Sequence, residues 1–281
     1  MRRCELIGQS RLLAAALIVA APAAMAQEGS ATADLAKAAQ NPVAAMISLP
    51  FQNNTLFGVG PDNDTANVLN IQPVIPFTVG DWNIINRTIA PIIYLPDLTS
   101  GLPELPKGVN DGSTFGLGDI NTSFYFSPAA PAKVIWGIGP SLTVPTATDE
   151  NIGSEKWSAG PAAVALAQPG PWVIGTLVRQ LWSFAGDGDR QDVSQLLVQP
   201  FVNYNFEKGW YAVSSPIVTA NWKADSDNTW TVPVGGGVGK IFKIGSQAIN
   251  AQLQSFYNVE SPKNGPDWSI RFQLQFLFPK G

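Results

Sequence analysis

The chain has 281 residues, 45% of them apolar and only 14% charged, with 26 Gly, 23 Pro, 9 Trp, one Cys and no His. That length suits one large domain or two small ones, the apolar share excludes a disordered tail, and the charge share is well below the roughly 25% of an ordinary soluble domain. Beyond the N-terminus no stretch reaches the ~18 apolar residues of a membrane-spanning helix, so an apolar, weakly charged chain of this kind points to a β-barrel.

Residues 1–26 have the form of a secretory signal peptide. Arg2, Arg3 and Arg11 make the basic flank, Leu13 to Ala21 the short apolar core, and Ala24-Met25-Ala26 the small-x-small cleavage pattern ahead of Gln27. Cys4 would leave with it, so the processed chain is expected to have no disulfide and no thiol chemistry. It would keep 14 basic and 20 acidic residues, and an acidic chain without a basic stripe argues against nucleic acid as a partner. Residues 27–47 follow as a plug or periplasmic segment. Their Ala-rich part, Ser30 to Met46, suits a short helix ending near Pro42.

From residue 48 to 281 the pattern changes to alternation, with turn signals every 10 to 20 residues. It predicts twelve strands, at about 48–60, 66–78, 82–97, 114–128, 133–147, 156–168, 171–184, 192–206, 210–223, 228–242, 247–260 and 267–279. Each is long enough for the ~9–11 residues of a tilted transmembrane strand, and the number is even, as a single-chain bacterial barrel requires. In the last, Trp268, Ile270, Phe272, Leu274, Phe276 and Phe278 oppose Ser269, Arg271, Gln273 and Gln275, with Leu277 an exception. In two other strands Phe256 and Phe201 break the same alternation. The polar faces carry Gln and Asn with few charges, as a lumen does, whereas a soluble sandwich would show Lys, Glu and Thr there. The expected fold is therefore all-β: a transmembrane antiparallel up-and-down barrel of about 12 strands with a short N-terminal helical segment.

The connections alternate in kind. Val79-Gly80-Asp81, Pro128 to Ala132, Gln168 to Pro171, Glu207-Lys208-Gly209 and Ile244-Gly245-Ser246 are tight and suit periplasmic turns. The other six are mostly longer, Asp97 to Ser113 the longest, and hold most of the acids, as extracellular loops would. Trp82, Trp136, Trp172 and Trp210 start strands at the turn side, while Trp157, Trp182, Trp222, Trp230 and Trp268 stand at the loop side. These are two candidate aromatic belts at the membrane interfaces. Against a closed sheet stand Pro73, Pro76, Pro91, Pro140, Pro145, Pro200, Pro216 and Pro233, each of which removes a ladder donor.

Several segments resemble a known family: Ile47 to Asn54 (ISLPFQNN), Asn67 to Phe77 (NVLNIQPVIPF), Gly116 to Pro128 (GLGDINTSFYFSP), Gly139 to Thr148 (GPSLTVPTAT), Lys156 to Leu166 (KWSAGPAAVAL) and Gln168 to Asp187 (QPGPWVIGTLVRQLWSFAGD). Over nearly the whole processed chain it is similar to the bacterial outer-membrane "transporter" barrels of the phenol-degradation meta-pathway type, sometimes mislabelled neuromedin U. The resemblance implies an outer-membrane location and passage of small, aromatic or hydrophobic compounds. It supplies no catalytic residues and no cofactor.

The absence of His weighs against acid–base enzymes of the outer membrane and against His metal sites. Gly235 to Lys240 (GGGVGK) resembles a phosphate loop but lacks its first Gly and its Ser/Thr, so these glycines are expected to be bends in a twisted sheet. The clusters Asp62/Asp64 and Asp187/Asp189/Asp192 fall short of the six to eight oxygens that Ca²⁺ wants, and suit solvated charge beside lipopolysaccharide. The candidate lumen-lining charges are Arg87, Asp119, Arg179 and Arg271, since a charge facing lipid near mid-depth costs ~2–4 kcal/mol. Two uses compete for them: pairing across the bore to brace it, the favoured one, or forming a constriction that selects solutes. The expected function is a passive channel for small molecules. The alternative is a non-transporting structural barrel that meets envelope components through its loops. The expected partners are outer-membrane lipid and lipopolysaccharide, with the barrel assembly machinery during insertion.

Overall fold

The structure is a computed structural model and describes residues 33–97, 112–130 and 132–279. The signal peptide and most of the Asp97 to Ser113 loop lie outside the described residues. One antiparallel sheet of fifteen hydrogen-bonded segments makes twelve staves, three of them interrupted once. In chain order these are β1 (Ile47–Val59), β2 (Asp64–Ile71 and Val74–Val79), β3 (Trp82–Leu95), β4 (Thr114–Leu117 and Ile120–Pro128), β5 (Val134–Val144) and β6 (Lys156–Ala167). Then come β7 (Trp172–Gly186), β8 (Ser194–Asn205), β9 (Trp210–Ser214 and Val218–Asn221), β10 (Trp230–Ile244), β11 (Gln247–Glu260) and β12 (Trp268–Phe278). Each pairs with the next, and β12 returns to β1 in register from Ile47↔Phe278 to Phe57↔Trp268, which closes the cylinder and leaves no sheet edge.

The prolines fall where the ladder is already broken. Pro73 sits in the gap of β2, Pro216 in the gap of β9, Pro145 just past β5, and Pro233 at a register shift in β10. Pro91 and Pro140 lie where pairing jumps, from Ile89↔Asn121 to Ile92↔Leu117 and from Ser123↔Ser141 to Phe126↔Ile138. Pro76 lies past the start of β1, and Pro200 faces the gap of β9. That gap is the largest break in the wall. Ser215, Pro216 and Ile217 have no ladder partner on either side, since pairing to β8 resumes only at Val218 and to β10 only at Thr219.

All nine tryptophans are exposed on the outer face, at 37% or more. Trp82 packs edge-on against Trp136 at the turn end, and Trp222 against Trp230 at the loop end. Ile138, Leu253 and Phe272 are likewise exposed.

The inward face departs from a purely amide lining. Phe201, Phe256 and Leu277, the three exceptions to alternation, are all buried inside. Two of them meet the N-terminal segment. Residues 33–39 are helical, and Met46 packs with Leu277 and Ala248 at the turn end. Val43 is buried among Ile85, Tyr125, Leu177 and Phe201. Gln40 exchanges two amide hydrogen bonds with Asn205, at 2.9 and 3.1 Å, and Gln168 Nε2 donates to the Lys37 carbonyl at 2.9 Å. The segment thus lies across the turn end of the bore, on an apolar floor that the lumen side of the staves provides for it.

Candidate functional site

On β6 the inward positions run Lys156, Ser158, Gly160, Ala162, Val164 and Leu166, polar at the loop end and apolar at the turn end. The gradient divides the bore. Near the turn end a chamber of about 140 Å³ is walled by glutamines, among them Gln52, Gln72, Gln199, Gln254 and Gln275, with residues of the N-terminal segment from Ala38 to Met46 as its floor. Toward the loop end a wider vestibule of about 620 Å³ is lined by Asn121, Thr143, Ser158, Arg179, Gln195 and Asn221, with Ile89, Ile152, Leu181 and Val193 as its apolar part.

Of the candidate charges, Arg179 and Asp119 line the vestibule and Arg87 the lower chamber. Arg87 lines the lower chamber and donates from Nη2 to Gln72 Oε1 at 2.7 Å. Arg179, opposite the small Ala162 on β6, has room to cross the bore and donates from Nη1 to Asn121 Oδ1 at 2.5 Å. Arg271 is buried; its Nε donates to Asn54 Oδ1 at 2.9 Å and its Nη1 to the Ser215 carbonyl at 2.8 Å. That carbonyl belongs to the gap of β9, so Arg271 supplies from inside a donor that the ladder does not.

Among the described residues, none of these three arginines pairs with a carboxylate. The expected ionic bracing across the bore is replaced by arginine–amide bonds. Asp119 lines the vestibule with Arg179, as expected of a lumenal charge, but its carboxylate is bonded to the loop after β5. It lies in the gap of β4, and its carboxylate accepts from Ala147 N, Ser154 N and Ser154 Oγ at 3.2, 2.7 and 2.6 Å. The aromatic residues of the candidate belts lie outside the bore and take no part in its lining.

The sequence reading missed Asn121 and Ser158. Asn121 Nδ2 donates to Ser141 Oγ at 3.1 Å and to Thr143 Oγ1 at 2.9 Å, while Ser123 Oγ donates to Ser141 Oγ at 2.9 Å. Ser158 is 1% exposed, and its hydroxyl is the one buried side-chain polar atom without a hydrogen-bond partner among the described residues. The available signal was parity: Ser158 is two residues from Lys156 and two from Gly160, so small inward side chains face the length of Arg179.

No protein-family model matches the chain, and no curated protein matches its sequence. Solved structures do. An outer-membrane channel from Pseudomonas putida F1 is 18% identical, with 85% of this chain and 96% of that chain covered and a TM-score of 0.63. The CymD monoaromatic hydrocarbon channel, at 12% identity, covers 84% of this chain and 88% of its own with a TM-score of 0.44. LpxR from Salmonella typhimurium, at 9% identity, covers 82% and 99% with a TM-score of 0.42. The first likeness shows a shared barrel fold, and the other two are more remote.

Proposed function

We propose that the protein is a passive channel for small molecules in the bacterial outer membrane, with residues 27–47 as a plug at its periplasmic end. The observation that carries this reading is the two-chambered bore: an open vestibule of mixed polar and apolar lining above a glutamine-walled chamber whose floor is the N-terminal segment rather than the barrel wall. A purely structural barrel would be expected to fill that volume with side chains. The exposed apolar waist between two levels of indole suits a bilayer, and the P. putida F1 barrel of the same fold is described as an outer-membrane channel. The acidic loops then face lipopolysaccharide, and the barrel assembly machinery inserts the chain. No catalytic role is assigned to any residue.

The test is liposome swelling and planar-bilayer conductance with the processed protein. Entry of small organic solutes supports the channel. No flux of any solute, with or without residues 27–46, would leave the structural barrel as the better account.

A further inference from the structure

The vestibule holds a cation and a hydroxyl whose bonding capacity its own walls leave unfilled. Asn121, Thr143 and Ser158 stand side by side on β4, β5 and β6, in the registers Asn121↔Thr143 and Thr143↔Ser158. Neighbouring staves are ~4.8 Å apart, so these three side chains form one level of the wall. Arg179 starts lower, opposite Ala162, and its bond to Asn121 raises the guanidinium to that level. Asn121 engages one of its five donors. Ser158 Oγ, on the same level, is buried without a partner, an arrangement that is costly unless a ligand or water completes it.

Asp119, Asp189 and Asp192 line the same vestibule, but none of them pairs with Arg179 among the described residues. Asp119 is engaged by Ala147 and Ser154, Asp192 lies between Lys156 and Lys223, and Glu155 pairs with Arg190. Asp189 stands at the exposed rim.

We infer that Arg179, positioned by Asn121, and Ser158 form a binding site for the carboxylate of a small organic monoacid, with its apolar body against Ile89 and Leu181. A guanidinium and a hydroxyl donor lining one vestibule can serve the two oxygens of a carboxylate, and the aliphatic side chains lining it favour an organic acid over an inorganic anion. This rests on the channel reading and deepens it, placing in the bore a station that solutes occupy as they pass.

The test uses the full processed protein in detergent with radiolabelled benzoate, and benzyl alcohol as the neutral counterpart. Saturable benzoate binding is expected, weakened roughly tenfold or more by Arg179→Gln and roughly fivefold by Ser158→Ala, as charged and neutral hydrogen bonds are lost. Arg179→Lys should retain part of it, and benzyl alcohol should not compete. Absence of saturable binding to the wild type, binding unchanged in Arg179→Gln, or equal competition by benzyl alcohol would each overturn the site. Liposome swelling with a neutral solute separates the two readings: flux equal in wild type and Arg179→Gln without benzoate binding removes the carboxylate site and keeps the channel, while benzoate binding without flux does the reverse.

Discussion

The guanidinium of Arg271 on β12 lies 4.8 Å over the ring of Phe256 on β11, inside the bore. Arg271 meets Gln254 in register, so Phe256 is its diagonal neighbour, and the aromatic residue that breaks the alternation of β11 is the platform on which the cation rests. From that platform the guanidinium reaches Asn54 and the orphan carbonyl of Ser215. Phe256→Ala is expected to destabilise the barrel by about 3 kcal/mol, the ordinary result of emptying a buried aromatic site. Arg271→Ala should cost about 2 kcal/mol by stranding two acceptors. The double substitution should fall short of the sum, because removing the ring already releases the guanidinium. Urea unfolding in lipid vesicles measures all three, and strict additivity would mean that the two side chains act apart.

A second coupled pair stands where β9 meets β10. Tyr211 is buried and donates from its hydroxyl to Asn250 Oδ1 at 2.5 Å, and Asn250 Nδ2 in turn donates to Gln275 Oε1 at 3.0 Å. The ring can lie flat across the neighbouring stave because Gly239 is its register partner; a Cβ there would come within 2.1 Å of Tyr211 Cζ. Tyr211→Phe should cost about 1–2 kcal/mol through the stranded Asn250 oxygen. Gly239→Ala should cost more, since it displaces the whole ring, and adding Tyr211→Phe to it should then change little. Unfolding midpoints of the two single variants and the double variant check this.

Much of the barrel was legible in the sequence because lipid imposes a strict period of two on its outer face. The twelve predicted segments match the twelve staves to within a few residues, and every tryptophan placed in a belt is on the outside. The inside was less legible because a lumen has no single solvent. Phe201 and Leu277 break alternation to meet Val43 and Met46 of the N-terminal segment, and Phe256 breaks it to carry Arg271. Asp119 does line the vestibule, but its partners in the loop after β5 were not legible, because it lies in the gap of β4 where no ladder fixes its neighbours. The prolines looked like an objection because sequence shows the lost donor but not the partner that is missing beside it.

At the loop end Asp192 gathers Lys156 and Lys223, at 3.6 and 3.7 Å, together with the Ser183 hydroxyl at 3.3 Å. The Ser183 bond first, then Lys223 and Lys156, hold its carboxyl below the usual aspartate range. A carboxyl depressed in the folded state contributes stability above the unfolded value of about 3.9, and that contribution is lost as pH falls through the lower folded value. Protease resistance of the loop between β7 and β8 is therefore expected to persist from pH 7 to about pH 4 and to decline below it. Asp192→Asn should remove the pH dependence, and a decline already complete at pH 5 would assign it to another group. The effect should be small, as the carboxylate is exposed and screened.

The candidate belts are tested with tryptophan fluorescence in brominated lipids. All nine indoles are exposed outside; if they form two interfacial belts, bromine near the head groups should quench more strongly than bromine near the acyl-chain ends. Stronger quenching from the bilayer centre would place the indoles at mid-depth. Trp82→Phe with Trp136→Phe should lower the quenching from the turn-side leaflet only, because these two pack together at that end.

The N-terminal segment is held by contacts that can be removed without touching the wall. Its polar ties to the barrel are Gln40 with Asn205 and Gln168 with the Lys37 carbonyl, and its apolar anchors are Ala36 against Tyr211, Val213 and Ile241, then Val43 and Met46. A deletion of residues 27–46 takes away the floor of the lower chamber but leaves every stave paired, so the barrel should still assemble. Its conductance in planar bilayers should rise severalfold, with the current still limited by the glutamine ring above. Val43→Asp is a milder version: a carboxylate among Ile85, Tyr125 and Leu177 is poorly tolerated, so the segment should leave the bore part of the time and the current should flicker between two levels. Equal conductance in the wild type and the deletion would mean that the segment does not obstruct the pathway, and the narrow point would then have to be sought at Arg179.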